Sequence, residues 1–186
     1  MKKSNQSGVT VIELMVVIAI VGIAAAIAVP GFADYFEKSR LRGAVDTVSA
    51  LVASARAEAV RQDRQVIVAF GGSASAWCVG ANVAAAPANV GDRIPAAVAC
   101  DCTAPATCSV GAVSSASYNG VTVTTVAPSV TFNPKLGTTV ALANQDIGFR
   151  SSSNRFQLDT RITPLGHVRS CRTAASEVIL GFGACP

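Results

Sequence analysis

Glu13 is a lone carboxylate inside the apolar run Gly8 to Pro30, GVTVIELMVVIAIVGIAAAIAVP, which follows the short basic start MKKSNQSG. The run approaches the roughly 20 residues that cross a bilayer as a helix. A carboxylate at membrane depth costs roughly 2.5 kcal/mol or more, so Glu13 is expected either to have a partner there or to lie at the interface with its head in water. A different chemistry is open to the six cysteines, which with a single histidine point to an oxidising compartment. Cys78, Cys100, Cys102 and Cys108 do not have the paired C-x₂-C spacing of zinc knuckles, so disulfides are the expectation. Residues 100 and 102 are too close to bridge each other. If these four pair among themselves, two arrangements remain open: Cys78 with Cys100 plus Cys102 with Cys108, or Cys78 with Cys102 plus Cys100 with Cys108. Cys171 and Cys185 would then close a C-terminal loop, worth about 3 kcal/mol by chain entropy, and hold the last strand on its sheet. Finally, the stretch TRITPLGHVRSCR, Thr160 to Arg172, gathers Arg161, His167, Arg169 and Arg172, with Arg150 and Arg155 close in sequence. Arginines so placed could contact phosphates of double-stranded DNA without reading sequence, and with strong salt dependence. They would equally suit a solvated strand edge that discourages aggregation. His167 contributes less, since an imidazole of ordinary pKa near 6.5 is largely neutral at pH 7.

No constellation suited to catalysis accompanies these groups. His167 sits in a turn-like P-L-G-H context, and Gly71-Gly72 follows a strand instead of opening a helix, so neither a catalytic triad nor a phosphate loop is indicated. An enzyme is not expected, nor any cofactor or metal. The formal charge of +4 would fall to +2 if Lys2 and Lys3 were removed with the leader, which is too small an excess to argue for nucleic acid. Charged residues make up 14% of the chain, well below the usual quarter or so, as suits an exported β-rich domain.

The elements that must position these groups begin with a helix. Past Pro30 the helical pattern continues to about Arg61: Leu41, Val45, Val48, Val52, Ala55 and Ala59 recur at steps of four and three and form one apolar face. Pro30 should kink this helix without ending it. At about 1.5 Å per residue it would reach roughly 80 Å. A strand is expected at Val66 to Phe70, then a loop-rich cysteine region from Ser73 to Val113. Short strands follow at Gly120 to Val126, Val130 to Phe132, Thr138 to Leu142, Ile147 to Phe149, Phe156 to Leu158 and Val178 to Leu180, separated by turns at Pro128-Ser129, Asn133-Pro134, Leu136-Gly137 and Ser151 to Asn154. The fold class is therefore α+β, a long N-terminal helix whose second half packs on an antiparallel β-sheet.

The N-terminal pattern resembles the type IV prepilin signature: a basic leader, then Gly8, Thr10, Glu13, Gly22 and Pro30 at the family's spacing. The resemblance implies that a prepilin peptidase cuts after Gly8 and methylates Val9, where the family usually has Phe. It also implies that Glu13 pairs with the terminal ammonium of a neighbouring subunit. An ordinary secretory signal would instead be cut near Ala26-Ile27-Ala28, and a plain membrane anchor would not be cut at all; Glu13 argues against the first. Two further phrases, SARAEA within Ser54 to Phe70 and VTFNPKLG from Val130 to Gly137, resemble the FimT/FimU and GspH family of minor pilins and pseudopilins. Gly166-His167-Val168-Arg169 is similar to the G-R-x-R phrase of DNA-binding FimT-type pilins, with His167 in place of the first arginine. The resemblance implies a leader over 1–8, a transmembrane and assembly helix over 9–33, and a pilin-like domain over 34–186. It implies a single-pass inner-membrane protein with its C-terminal domain in the periplasm, later part of a cell-surface filament or a periplasmic pseudopilus. The expected role is that of a minor type IV pilin in pilus assembly or priming, whose partners are other pilin subunits. The alternatives are a minor pseudopilin of type II secretion and a pilus-borne DNA receptor for natural transformation.

Overall fold

The computed structural model describes residues 8–89, 93, 95–125, 129–141 and 143–185, without the side chains of 28–30 and 125. The leader before Gly8, the expected kink at Pro30, the turn at Pro128, and the strand ends at Val126 and Leu142 lie outside the described residues. One long helix, α1, runs Val11–Gln62, and the chain divides into two compact units, Met1–Phe36 and Glu37–Pro186. In the first unit the large apolar side chains from Val9 to Ile27 are exposed on every side of the helix. A helix apolar all round needs an apolar surrounding outside the monomer. Neither of the segments Val11–Ile27 and Gly31–Gln62 is alone long and apolar enough to cross a membrane; the two meet that requirement as a pair.

The second unit is built around the rest of α1. Leu41, Val45, Val48, Val52, Ala55 and Ala59 are fully buried, as the spacing predicts, and Ala44 joins them. Against this face pack two antiparallel sheets of four strands each. The first contains β1 (Val66–Gly72), β2 (Trp77–Val83), β3 (Gly111–Ser114) and β5 (Ser129–Phe132), in the order β3-β2-β1-β5. The second contains β4 (Thr122–Thr125), β6 (Gln145–Arg150), β7 (Gln157–Ile162) and β8 (Val168–Arg172), in the order β4-β6-β7-β8. Val66, Val68, Val79 and Phe132 of the first sheet and Ile147, Phe149, Leu158 and Ile162 of the second close one core with the helix.

Three of these strands fall where the sequence reading has none. The region Ser73 to Val113 holds β2 and β3 at its two ends, with the loop between them. Val178 to Leu180, expected as a strand, is a loop that buries Ile179 in the core and leaves Val178 and Leu180 exposed. The outermost strand of that sheet is instead β8, within the basic stretch. Thr138 to Leu142 forms no strand of its own: Thr139 makes a single bridge to Phe132, and the Val140 N–H donates to the Thr131 carbonyl.

Near the start of the second unit, Glu37 accepts hydrogen bonds from Ser152 Oγ at 3.1 Å and Ser153 Oγ at 2.5 Å, which ties the β6–β7 turn to the helix. The Ser153 hydroxyl, set against partial burial, holds the Glu37 carboxyl below its ordinary 4.5. A depressed carboxylate stabilises the fold above its unfolded pKa and loses that contribution as pH falls through the lower folded value. Glu37→Gln should therefore lower the melting temperature at pH 7, and the deficit should shrink at pH 3. A deficit that is constant across this window would mean that charge plays no part in the tether.

Candidate functional site

The N-terminal end of α1 shows how Glu13 is held within its own chain. Its Oε2 accepts from the Thr10 N–H at 2.9 Å and from Thr10 Oγ1 at 2.8 Å, while the Glu13 N–H donates to Thr10 Oγ1 at 3.3 Å. This is a reciprocal capping box, in which Thr10 caps the helix and Glu13 at the third position caps Thr10 in return. The T-x-x-E spacing was the signal for it, and Thr10 belongs to the site beside Gly8, Val9 and Glu13. Among the described residues only one carboxylate oxygen is used, which leaves Oε1 available for a further donor.

Towards the far end of the helix, Arg56 connects three separated phrases of the sequence. Its Nε donates to the Gly137 carbonyl at 2.9 Å, and it passes beside Gly166. Both glycines have positive φ, +61° and +75°, and a Cβ on either would stand about 3 Å from Arg56 Nε. The positive φ favours glycine at both turns, and at Gly166 a Cβ would also stand 2.2 Å from the Gly137 carbonyl; Arg56 links the SARAEA phrase to the turn after β5 and to the β7–β8 turn carrying His167. Nearby, Arg61 and Gln62 donate to Glu58 and hold its carboxyl down to about 2.

The six cysteines form three bridges: Cys78–Cys102, Cys100–Cys108 and Cys171–Cys185. Of the two arrangements left open above, the structure has the second. The bridges lie directly over β2, since a Cβ on Gly80 would stand 2.7 Å from both Cys100 Sγ and Cys108 Sγ. The otherwise irregular loop is thereby pinned to the first sheet. The third bridge joins β8 to the C-terminal segment.

The basic residues of the tail do not form a single cluster. Arg161 makes a two-pronged pair with Asp146, Nε to Oδ1 at 2.8 Å and Nη2 to Oδ2 at 3.1 Å, and Arg155 pairs in the same manner with Glu177. Arg150 donates to Gln157 Oε1. Arg161 and Arg169 face each other across β7 and β8, whereas Arg172 is opposite Leu158, one step out of phase and so on the other face of the sheet. There Arg172 donates from Nη1 to the Ser176 carbonyl at 3.0 Å. His167 lies in the turn before β8, beside Arg56 and Val60.

Two family profiles match this chain. Residues 44–166 match the family described as Type II transport protein GspH, and residues 3–29 match the prokaryotic N-terminal methylation motif. The chain belongs to the GspH family. This GspH-family chain carries the N-terminal methylation motif ahead of an α+β domain. It is 44% identical over 62 residues to a fimbrial protein of Pseudomonas aeruginosa, covering 33% of this chain and 40% of that one. It is 63% identical over 35 residues to the type IV major alpha-pilin of Moraxella bovis, covering 19% and 22% respectively. The chain thus spans two fifths or less of the length of these curated relatives. Among solved structures it overlays the type IV minor pilin FimU of Pseudomonas aeruginosa at 15% identity with a TM-score of 0.46, covering 78% of this chain and 97% of that one. The methylation motif together with the exposed apolar helix points to membrane anchoring.

Proposed function

We propose that the chain is a minor type IV pilin of the FimT/FimU kind that acts in pilus assembly or priming. The observation that carries this reading is the arrangement at Glu13. One carboxylate oxygen caps its own helix and the other is left to accept a neighbour's terminal ammonium. A prepilin peptidase cuts after Gly8 and methylates Val9, which sets the ammonium four residues ahead of Glu13. The apolar half of the helix stores the subunit in the inner membrane as a single span over 9–33, with the domain over 34–186 in the periplasm. On assembly, the pairing of Glu13 with a neighbour neutralises both charges inside an apolar bundle, where either alone is costly. Mass spectrometry of the N-terminal peptide from cells with the peptidase should find N-methyl-Val9. A mature start at Val29 would overturn this reading and indicate an ordinary secretory signal.

The same geometry serves a minor pseudopilin of type II secretion, the reading favoured by the family's own description. DNA uptake through the tail has narrower support. Asp146 offsets Arg161 and Arg172 is turned to the opposite face, so Arg169 is the principal cation available for phosphate. Arg169→Ala should then weaken duplex binding for every DNA sequence alike.

A further inference from the structure

The outer edge of β8 is half covered. The Arg172 N–H donates to the Gly183 carbonyl at 2.8 Å, and the Cys185 N–H donates to the Arg172 carbonyl at 3.0 Å. The C-terminal segment therefore lies along β8 as a short added strand, with a parallel bridge from Arg172 to Ala184 and the Cys171–Cys185 bridge beside it. In an antiparallel ladder, alternate residues turn both main-chain groups towards the neighbouring strand or away from it. Arg172 turns its groups away from β7, so Ser170 and Val168 do the same. Among the described residues nothing bonds their main-chain groups at that edge.

A groove flanks this open half-edge on each face. On the helix side, Ala53, Ala57, Val60 and Val168 line a space of about 600 Å³, with Arg56 and His167 at its rim. Ala53, Ala57 and Val60 form a second apolar stripe of α1, separate from the core face and exposed. On the other side, Arg161 and Arg169 line a space of about 470 Å³ that continues to Gly183 and Ala184. Arg169 is exposed and has no hydrogen bond or ion pair among the described residues.

We infer that the open half of β8 accepts an extended segment of a different subunit, with alternating apolar and acidic residues, as an added strand. Successive side chains of a strand point to opposite faces. The apolar ones would enter the Ala53–Ala57–Val60 groove, and the acidic ones would meet Arg169. Main-chain bonds to Val168 and Ser170 supply affinity, and the alternating pockets supply specificity. The C-terminal segment already occupies the rest of this edge in the same way, so the added strand would extend an existing arrangement. A second copy of this chain fits poorly: its other edge strands, β3, β4 and β5, read GAVS, TVTT and SVTF and carry no acidic residue. The inference goes beyond the proposed function and holds whether the chain serves a pilus or a secretion pseudopilus.

The test uses the full chain in lipid nanodiscs with fluorescein-labelled peptides VEVEVEV and VKVKVKV, followed by anisotropy. The acidic peptide should bind at least tenfold more tightly, lose at least tenfold on backbone N-methylation, and protect the Val168 and Ser170 amides from hydrogen exchange. Arg169→Glu should reverse the charge preference. Ser170→Pro removes an N–H that β7 does not use and should weaken binding about tenfold. If that variant misfolds by circular dichroism, the exposed Arg169→Glu change still decides the matter. Equal binding of the two peptides, indifference to N-methylation, or no binding would each overturn the inference and leave Arg169 as a guard against edge pairing. Duplex DNA that protects the same amides when the acidic peptide does not would overturn it in favour of a phosphate ligand.

Discussion

Glu13→Ala should leave the domain over 34–186 folded while incorporation into filaments falls by roughly two orders of magnitude. The magnitude follows from the cost of leaving one charge unpaired in apolar surroundings, about 2.5 kcal/mol or more, with each 1.4 kcal/mol worth tenfold in an equilibrium. The fold should be spared because Glu13 hydrogen-bonds only with Thr10 among the described residues, whereas the core begins at Leu41. The capping box supplies a stricter test. Glutamine can complete such a box as well as glutamate, so Glu13→Gln keeps the bond from Thr10 and loses only the charge. Glu13→Gln should therefore be as defective in filament incorporation as Glu13→Ala, measured by immunoblot of sheared filaments against membrane-bound subunit. Recovery in the glutamine variant would mean that helix capping, and not an ion pair with a neighbour, is what assembly requires. Loss of the domain's circular dichroism signal in either variant would contradict the division of the helix into an assembly half and a packing half.

The helix was readable because its two halves obey different and simple rules. The first half is apolar on all sides, and the second repeats apolar residues at steps of four and three over several turns, each of them now buried. Strand β1 was equally plain, as a short apolar run ended by Gly71-Gly72. Strand β2, WCVGANV, was hidden because it is buried along most of its length on both faces and so shows no alternation. The disulfide loop covers its outer side, and Gly80 is there to admit the sulfurs, which from sequence alone reads as a turn residue. Strand β8, VRSCR, was missed for the opposite reason. It is an edge strand whose inward face mixes Val168 with Ser170 and Arg172, Ser170 meeting Ser49 of the helix at 3.2 Å, so it shows no apolar alternation. Val178 to Leu180 looks like a strand because it is an apolar triplet, but it is a loop in which Ile179 enters the core and the Leu180 carbonyl accepts from Arg42. The basic tail illustrates the same limit at a site. Composition groups Arg161, Arg169 and Arg172, but a period of two places the third on the opposite face.

Trp77→Ala should be the most destabilising single change in the domain, by about 3–5 kcal/mol. The residue starts β2 in the first sheet, yet its partners lie elsewhere. Its Nε1–H donates to the Val121 carbonyl at 2.9 Å, just before β4 of the second sheet. Its ring meets Phe149 of β6 edge-on at 5.4 Å and lies parallel to Tyr118 at 6.2 Å. Tyr118 in turn shares a 2.6 Å hydrogen bond with Thr47 of α1 and rests against Gly43, where a Cβ would stand 3.2 Å from its ring. One indole therefore connects both sheets and, through Tyr118, the helix. Against a total stability of about 5–15 kcal/mol, its loss should lower the melting temperature by roughly 10 °C or more. Trp77→Phe retains most of the packing but leaves the buried Val121 carbonyl without its donor, a smaller cost of about 1–3 kcal/mol. Thermal unfolding followed by circular dichroism should rank wild type above Trp77→Phe and both above Trp77→Ala. If Trp77→Ala unfolds within a degree or two of wild type, the sheets are held together by the helix stripe alone, and Trp77 merely fills the gap between them.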